Sequence, residues 1–260
     1  MKQSVCVVLF MALLDGVYPV EQVLIGTYSG GGDMLVRQYG EVSGAERALF
    51  FIGQIHGDES GAGDAIRLME ASIEGRGLPG NTLVYLLNPA NRSGRRLIDG
   101  IDPNRDFLDR RLSETRAIAS FCERLAARYR SVLIVSAHQY NDRNRGTLRQ
   151  GFVFPLYELT GVGRQKIAGK AGGAIISMSA LLDYTTPAES EAVARQFADL
   201  TGFTYEAMWK NEMYPGELMY FVSRLGAHVS MIEFEIPESE RSNIALWRDS
   251  FARFVQIVIR

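Results

Sequence analysis

The sequence predicts a single α/β domain, and three observations carry that expectation. Short apolar runs of strand length alternate with stretches of helical periodicity. Polar and charged residues gather just past the ends of those runs. The 260 residues contain no linker, internal repeat or low-complexity segment that would divide them, and one α/β domain of this size is common. Together these place a sheet at the centre, helices on its faces and the chemistry along the sheet's C-terminal edge.

Residues 1–20 come first. A weakly basic start, Met1-Lys2-Gln3-Ser4, precedes an apolar run over residues 5–14. That run has the length of a signal-peptide core and is too short to span a bilayer. The expectation is an export leader, hence a periplasmic or extracellular protein with its α/β domain in residues 21–260. Asp15-Gly16-Val17-Tyr18 is a poor cleavage site, and the alternative is a first buried strand in a cytoplasmic protein. No other stretch is long and apolar enough to be a membrane span.

Val23-Leu24-Ile25-Gly26-Thr27 reads as a strand entering the turn Gly30-Gly31-Gly32, and Met34 to Tyr39 resumes the extended pattern. No Lys-Ser/Thr follows the glycines, so a hairpin turn is favoured over a phosphate loop. Ala48-Leu49-Phe50-Phe51-Ile52 is a buried strand. After Gly63, apolar residues at Ala65, Ile66, Leu68, Met69 and Ile73 give a helix. Thr82 to Leu87 is a second buried strand. Ser113 is the expected N-cap of a helix that turns Ile118, Phe121, Leu125 and Tyr129 inward. Val132-Leu133-Ile134-Val135 is the next strand, with His138 just beyond it. Residues 141–151 read as a loop, 163–180 as helix-like or mixed and 190–200 as a helix. A turn at Tyr214-Pro215-Gly216 leads to a short helix over 217–224. Residues 228–237 form a strand, and an amphipathic helix closes the chain at 244–259.

A formal charge of −2 gives no reason to expect a nucleic-acid partner. Two cysteines, Cys6 and Cys122, cannot make a disulfide framework or a thiolate zinc site. The histidines number three, His56, His138 and His228, and two of them follow apolar strands. His56-Gly57-Asp58-Glu59 puts an imidazole and a carboxylate in one tight turn, where both can face a single ion. His138 is a natural third ligand. Two nitrogens and one oxygen around zinc leave a position open, the arrangement of a catalytic rather than a structural site. Turn and cap chemistry is the plainer reading of each residue alone.

A base is also needed. Glu233 and Glu235 share one face of the strand over residues 228–237 because side chains alternate with period two. Either carboxylate could accept a proton beside the metal, and a solvent-facing stripe on an edge strand is the plainer account. Asn104-Arg105 pairs an amide with a planar guanidinium, which suits a free carboxylate. Arg95 or Arg96 could stabilise a developing oxyanion.

In that order, His56-Gly57-Asp58-Glu59, Asp102-Pro103-Asn104-Arg105-Asp106-Phe107, His138 and Glu235-Ile236-Pro237 resemble the zinc metallocarboxypeptidase family. With residues 26–32, they are similar to its compact bacterial branch, which includes murein peptide amidases. The resemblance implies a mixed, mostly parallel eight-stranded sheet flanked by helices. It implies zinc held by His56, Glu59 and His138, with Glu235 as general base because it precedes Ile-Pro. Asn104 and Arg105 would hold the substrate carboxylate, Arg95 or Arg96 the carbonyl oxygen, and Tyr214 or Tyr220 would cap the substrate. Ser136 stands where the family often has an acid, and Asp106 stands in place of an asparagine, a change expected to alter the carboxylate pocket. Asn88 to Asn91 and Arg95 to Asp99 lean towards related deacylases of the succinylglutamate desuccinylase and aspartoacylase type. The expected activity is hydrolysis of an amide beside a free carboxylate, in peptidoglycan-derived peptides. The alternatives are an N-acyl amino-acid deacylase and a non-catalytic protein that binds cell-wall peptides.

Overall fold

The computed structural model describes residues 20–74, 78–140, 174–178, 188–201, 204–208, 214–237 and 248–259. The proposed leader therefore lies outside the described residues except for Val20. No helix among the described residues is long and apolar enough to cross a membrane.

Strands β1 (Glu21–Thr27) and β2 (Asp33–Tyr39) form the expected antiparallel hairpin, with Gly31 and Gly32 at φ +89° in its turn. Such left-handed values favour glycine. Strand β3 (Arg47–Gly53) leads into helix α1 (Ser60–Glu74), which begins three residues before the expected start. Strand β4 (Thr82–Leu87) matches its apolar run. A 3-10 turn over Pro103–Arg105 precedes α2 (Ser113–Arg128). Ser113 is already helical rather than the N-cap: Leu112 holds that position without a side-chain cap, and its N–H donates to the buried Asp106.

Strand β5 (Ser131–Tyr140) runs further than its apolar core and includes His138, which was expected just outside it. Strand β6 (Ala174–Met178) lies inside a stretch expected to be helix-like or mixed; parallel pairing with β7 (Thr204–Met208) and antiparallel pairing with β8 (Val229–Pro237) hold it extended. Helices α3 (Ala188–Thr201), α4 (Leu218–Val222) and α5 (Arg248–Ile259) complete the described elements.

The eight strands make one sheet in the order β1-β2-β4-β3-β5-β8-β6-β7. Its central strands β4, β3, β5 and β8 are parallel. The sheet alternates strictly between two cores. Phe50, Ile134 and Met231 face α2 and α4, whereas Phe51, Leu133 and Phe234 face α1, α3 and α5. Each such fully buried side chain contributes roughly 1.5–3 kcal/mol. The architecture is a mixed, mostly parallel sheet between helices in one α/β domain.

Chain order creates the crevice that matters. From β3 the chain passes through α1 to β4 on one side, then through α2 to β5 on the other side of β3. The connections diverge outside the C-terminal ends of β3 and β5, where α/β sheets bind ligands.

Candidate metal centre

At the end of β3 the backbone turns sharply. Gln54 takes φ +56°, a left-handed value that costs a non-glycine residue roughly 1–2 kcal/mol. The Glu59 N–H donates to the His56 carbonyl at 3.1 Å, which curls His56 and Glu59 into one turn. Gln139 secures the entry to α1 because its side-chain oxygen accepts from the Gly61 N–H at 2.7 Å. On β5, the positions that face α2 read Val132, Ile134, Ser136 and His138. The apolar face thus becomes polar at the strand's C-terminal end.

The three expected ligands meet there. His56 Nδ1 is 2.7 Å from Glu59 Oε1, and His138 Nδ1 is 3.1 Å from Glu59 Oε2. One ligand atom from each residue lies within 4.8 Å of the others. All three side chains are buried. Two imidazole nitrogens and a carboxylate oxygen are a donor set suited to a divalent cation, and to zinc with one position open. The residues fit the metal.

The electrostatics agree. Burial alone would lower His56, but the Glu59 and Asp102 carboxylates outweigh it and raise it to about 9. For His138 burial likewise opposes charge, and Glu233 and Glu59 raise it. Burial pushes Glu59 up, yet His138 and His56 hold it well below the usual carboxylate range. A metal ion bound by these nitrogens competes with protons for them.

Arg96 reaches this cluster, 3.4 Å from Glu59 Oε1 and 3.6 Å from Asp102 Oδ2. Arg95 is exposed, as Arg96 is, and its carbonyl accepts from the Gly57 N–H at 3.0 Å. Asn104 is buried, and its side-chain oxygen accepts from the Leu218 N–H at 3.0 Å. Arg105 lies 3.0 Å from Glu217 Oε1, donates to the Asn104 carbonyl at 2.7 Å and sits 4.8 Å over the Tyr214 ring. Tyr214 is exposed. Tyr220 instead packs partly buried against the core beneath α2 and α4, with Arg224 5.9 Å over its ring. Glu235 is the register partner of His138, and its side chain lies outside the described residues.

Asp106 is fully buried and accepts from Leu112 N–H and the Thr115 hydroxyl, which anchors the start of α2. The deacylase-like asparagines are also occupied structurally: Asn88 donates to the Gly63 carbonyl and Asn91 to the Arg95 carbonyl.

Sequence reasoning gave Asp102 no role. Its Oδ1 lies 2.8 Å from His56 Nε2, a carboxylate–histidine contact that fixes the ring and its tautomer. The signal was available, because a ligating histidine needs a partner for its second nitrogen and Asp102 opens the same motif as Asn104. Glu217, paired with Arg105, was missed as well.

No protein-family model and no curated protein matches the chain. Solved structures do. A metallo-carboxypeptidase from Burkholderia cenocepacia aligns with TM-score 0.63 at 12% identity, over 92% of this chain and 64% of that one. A metallo-carboxypeptidase from Pseudomonas aeruginosa, in complex with (2-guanidinoethylmercapto)succinic acid, gives 0.61 at 14%, over 93% and 65%. Bovine thrombin-activatable fibrinolysis inhibitor, in complex with tick carboxypeptidase inhibitor, gives 0.58 at 15%, over 92% and 90%. The chain thus spans just under two thirds of the two bacterial proteins and most of the bovine one. What all three share with it is the zinc-carboxypeptidase fold, and the architecture described above is of that fold.

Proposed function

We propose that this chain is a zinc-dependent hydrolase that cleaves an amide bond beside a free carboxylate, with peptidoglycan-derived peptides as its substrate class. The observation that carries the metal-dependent chemistry is the convergence of buried His56, Glu59 and His138 at the switch point of the sheet. In this reading those three side chains hold the ion, and Asp102 keeps the His56 ring oriented. Zinc bound there supplies a Lewis acid and lowers the pKa of water to about 7. Glu235 takes a proton from the attacking water and passes it to the leaving nitrogen. Arg96, beside Glu59, stabilises negative charge on the scissile carbonyl oxygen.

Arg105, with Asn104, receives the substrate carboxylate. Glu217 and the Asn104 carbonyl fix one end of the guanidinium, and Tyr214 covers the ion pair from the solvent side. The Pseudomonas protein of this fold is itself in complex with an acid, (2-guanidinoethylmercapto)succinic acid. An export leader over residues 1–20 suits a wall substrate, and N-terminal sequencing of the mature protein checks it.

The test is turnover by purified protein, with and without chelator, on muropeptides, simple peptides and N-acyl amino acids. Chelator-sensitive release from muropeptides is expected. Release only from N-acyl amino acids would make the chain a deacylase, and zinc uptake without turnover of any of them would make it a binding protein. Glu235→Gln is expected to reduce kcat by about 10²-fold or more while metal analysis still finds zinc on the protein.

A further inference from the structure

Strand β8 carries a second acid that this mechanism does not use. Glu233 is buried on the sheet face it shares with the fully buried Met231. A carboxylate in such surroundings requires polar company. It pairs in register with Ser136 of β5. Ser136 is small, which leaves room for the longer side chain to lean along β5 towards the next residue on that face, His138. Glu233 Oε2 lies 3.4 Å from Ser136 Oγ and 3.6 Å from His138 Nε2.

His138 needs such a neighbour. Its Nδ1 faces Glu59, while its Nε2 is buried and has no hydrogen-bond partner among the described residues. Once Nδ1 gives its lone pair to a metal, the single proton of the neutral ring must sit on Nε2. His56 already shows the complete arrangement, with Nδ1 towards Glu59 and Nε2 on the Asp102 carboxylate. At His138 the corresponding carboxylate stands at 3.6 Å, just outside hydrogen-bond range.

We propose that Glu233 is a positioning residue of the metal centre, whose carboxylate accepts the Nε2–H of His138 and fixes the ring with Nδ1 aimed at the ion. The inference rests on the reading of His56, Glu59 and His138 as metal ligands. It gives the two acids of β8 different work: Glu233 orients a ligand, and Glu235 handles the substrate's proton. Each imidazole then has its own carboxylate, one from the loop before the 3-10 turn and one from the neighbouring strand.

The experiment measures zinc affinity of the full-length protein by competition with a chromophoric chelator, for wild type, Glu233→Ala, Glu233→Gln and Glu235→Gln. Loss of an outer carboxylate should weaken zinc binding ~10–100-fold in Glu233→Ala. The isosteric Glu233→Gln keeps an acceptor oxygen and should recover part of that loss. Melting of the metal-free proteins controls for folding. In zinc-loaded wild type labelled at histidine nitrogen, NMR should show a slowly exchanging Nε2–H on His138. That proton should exchange faster in Glu233→Ala. Zinc affinity in Glu233→Ala within about twofold of wild type, an effect well below the one expected, would overturn the proposal alone. So would a Glu233→Gln that keeps wild-type zinc affinity but loses turnover, since Glu233 would then be the base. A wild-type chain that takes up no zinc would overturn both the metal reading and this assignment.

Discussion

Asp102 does two jobs with one oxygen. Oδ1 is 2.8 Å from His56 Nε2 and also accepts the Asn104 N–H at 2.9 Å, which caps the 3-10 turn. Asp102→Asn should therefore weaken zinc binding by ~10–100-fold, measured against a competing chelator, with little change in the melting of the metal-free protein. Asp106, four residues on, belongs to stability instead. Burial would raise it, but hydrogen bonds from Leu112 N–H, the Thr115 hydroxyl and Arg111 hold it below the ordinary range. Its folded pKa thus lies under the unfolded value of about 3.9. The stability it contributes is present above that value and is lost as pH falls through the folded one. Asp106→Asn should cost about 1.5–3 kcal/mol at pH 7. In urea titrations the gap between variant and wild type should narrow below about pH 4. These two aspartates stand in one short motif and look alike in sequence; only the partners around each separate ligand support from helix anchoring.

At the scale of elements, the turn before α4 is locked onto the 3-10 turn. Leu218 N–H donates to the Asn104 side chain, and Phe107 N–H donates to the Gly216 carbonyl at 3.0 Å. Gly216 has φ +94°, and a Cβ there would fall 2.3 Å from the Arg105 carbonyl oxygen. Gly216→Ala should cost roughly 1–3 kcal/mol and, by shifting Arg105, raise KM for carboxylate-bearing substrates more than it lowers kcat. A thermal melt and steady-state kinetics check the two parts. Elements whose own residues carry the signal were legible: Thr82 to Leu87 and the apolar face of α1 define themselves by pattern. β5 was read short because Ser136, His138 and Gln139 look like a loop. They stay extended because β3 pairs with Ser136 and Ala137, and β8 pairs with the strand through Tyr140. β6 was misread for the same reason, since its five residues are held by partners distant in the chain.

Across the whole molecule, β8 joins the candidate metal centre to the core that faces α1, α3 and α5. Phe234 meets the Phe254, Phe197 and Phe251 rings at 4.8, 5.4 and 5.6 Å, and so ties α3 and α5 to the sheet one residue from Glu233. Phe234→Ala should cost about 3–5 kcal/mol in denaturant unfolding.

By itself the sequence determined the α/β class, the alternation of its central strands and helices, and the residues able to ligate a metal. Those depend on side-chain type and on spacing within a single element, which local sequence records directly. Tertiary structure decided that His56, Glu59 and His138 meet, that Arg96 reaches Glu59 and Asp102, and that Asp106 anchors the start of α2. It also placed Glu233 against His138. Such choices depend on which strands become neighbours and in what register, a matter of pairing between distant segments that no local pattern encodes.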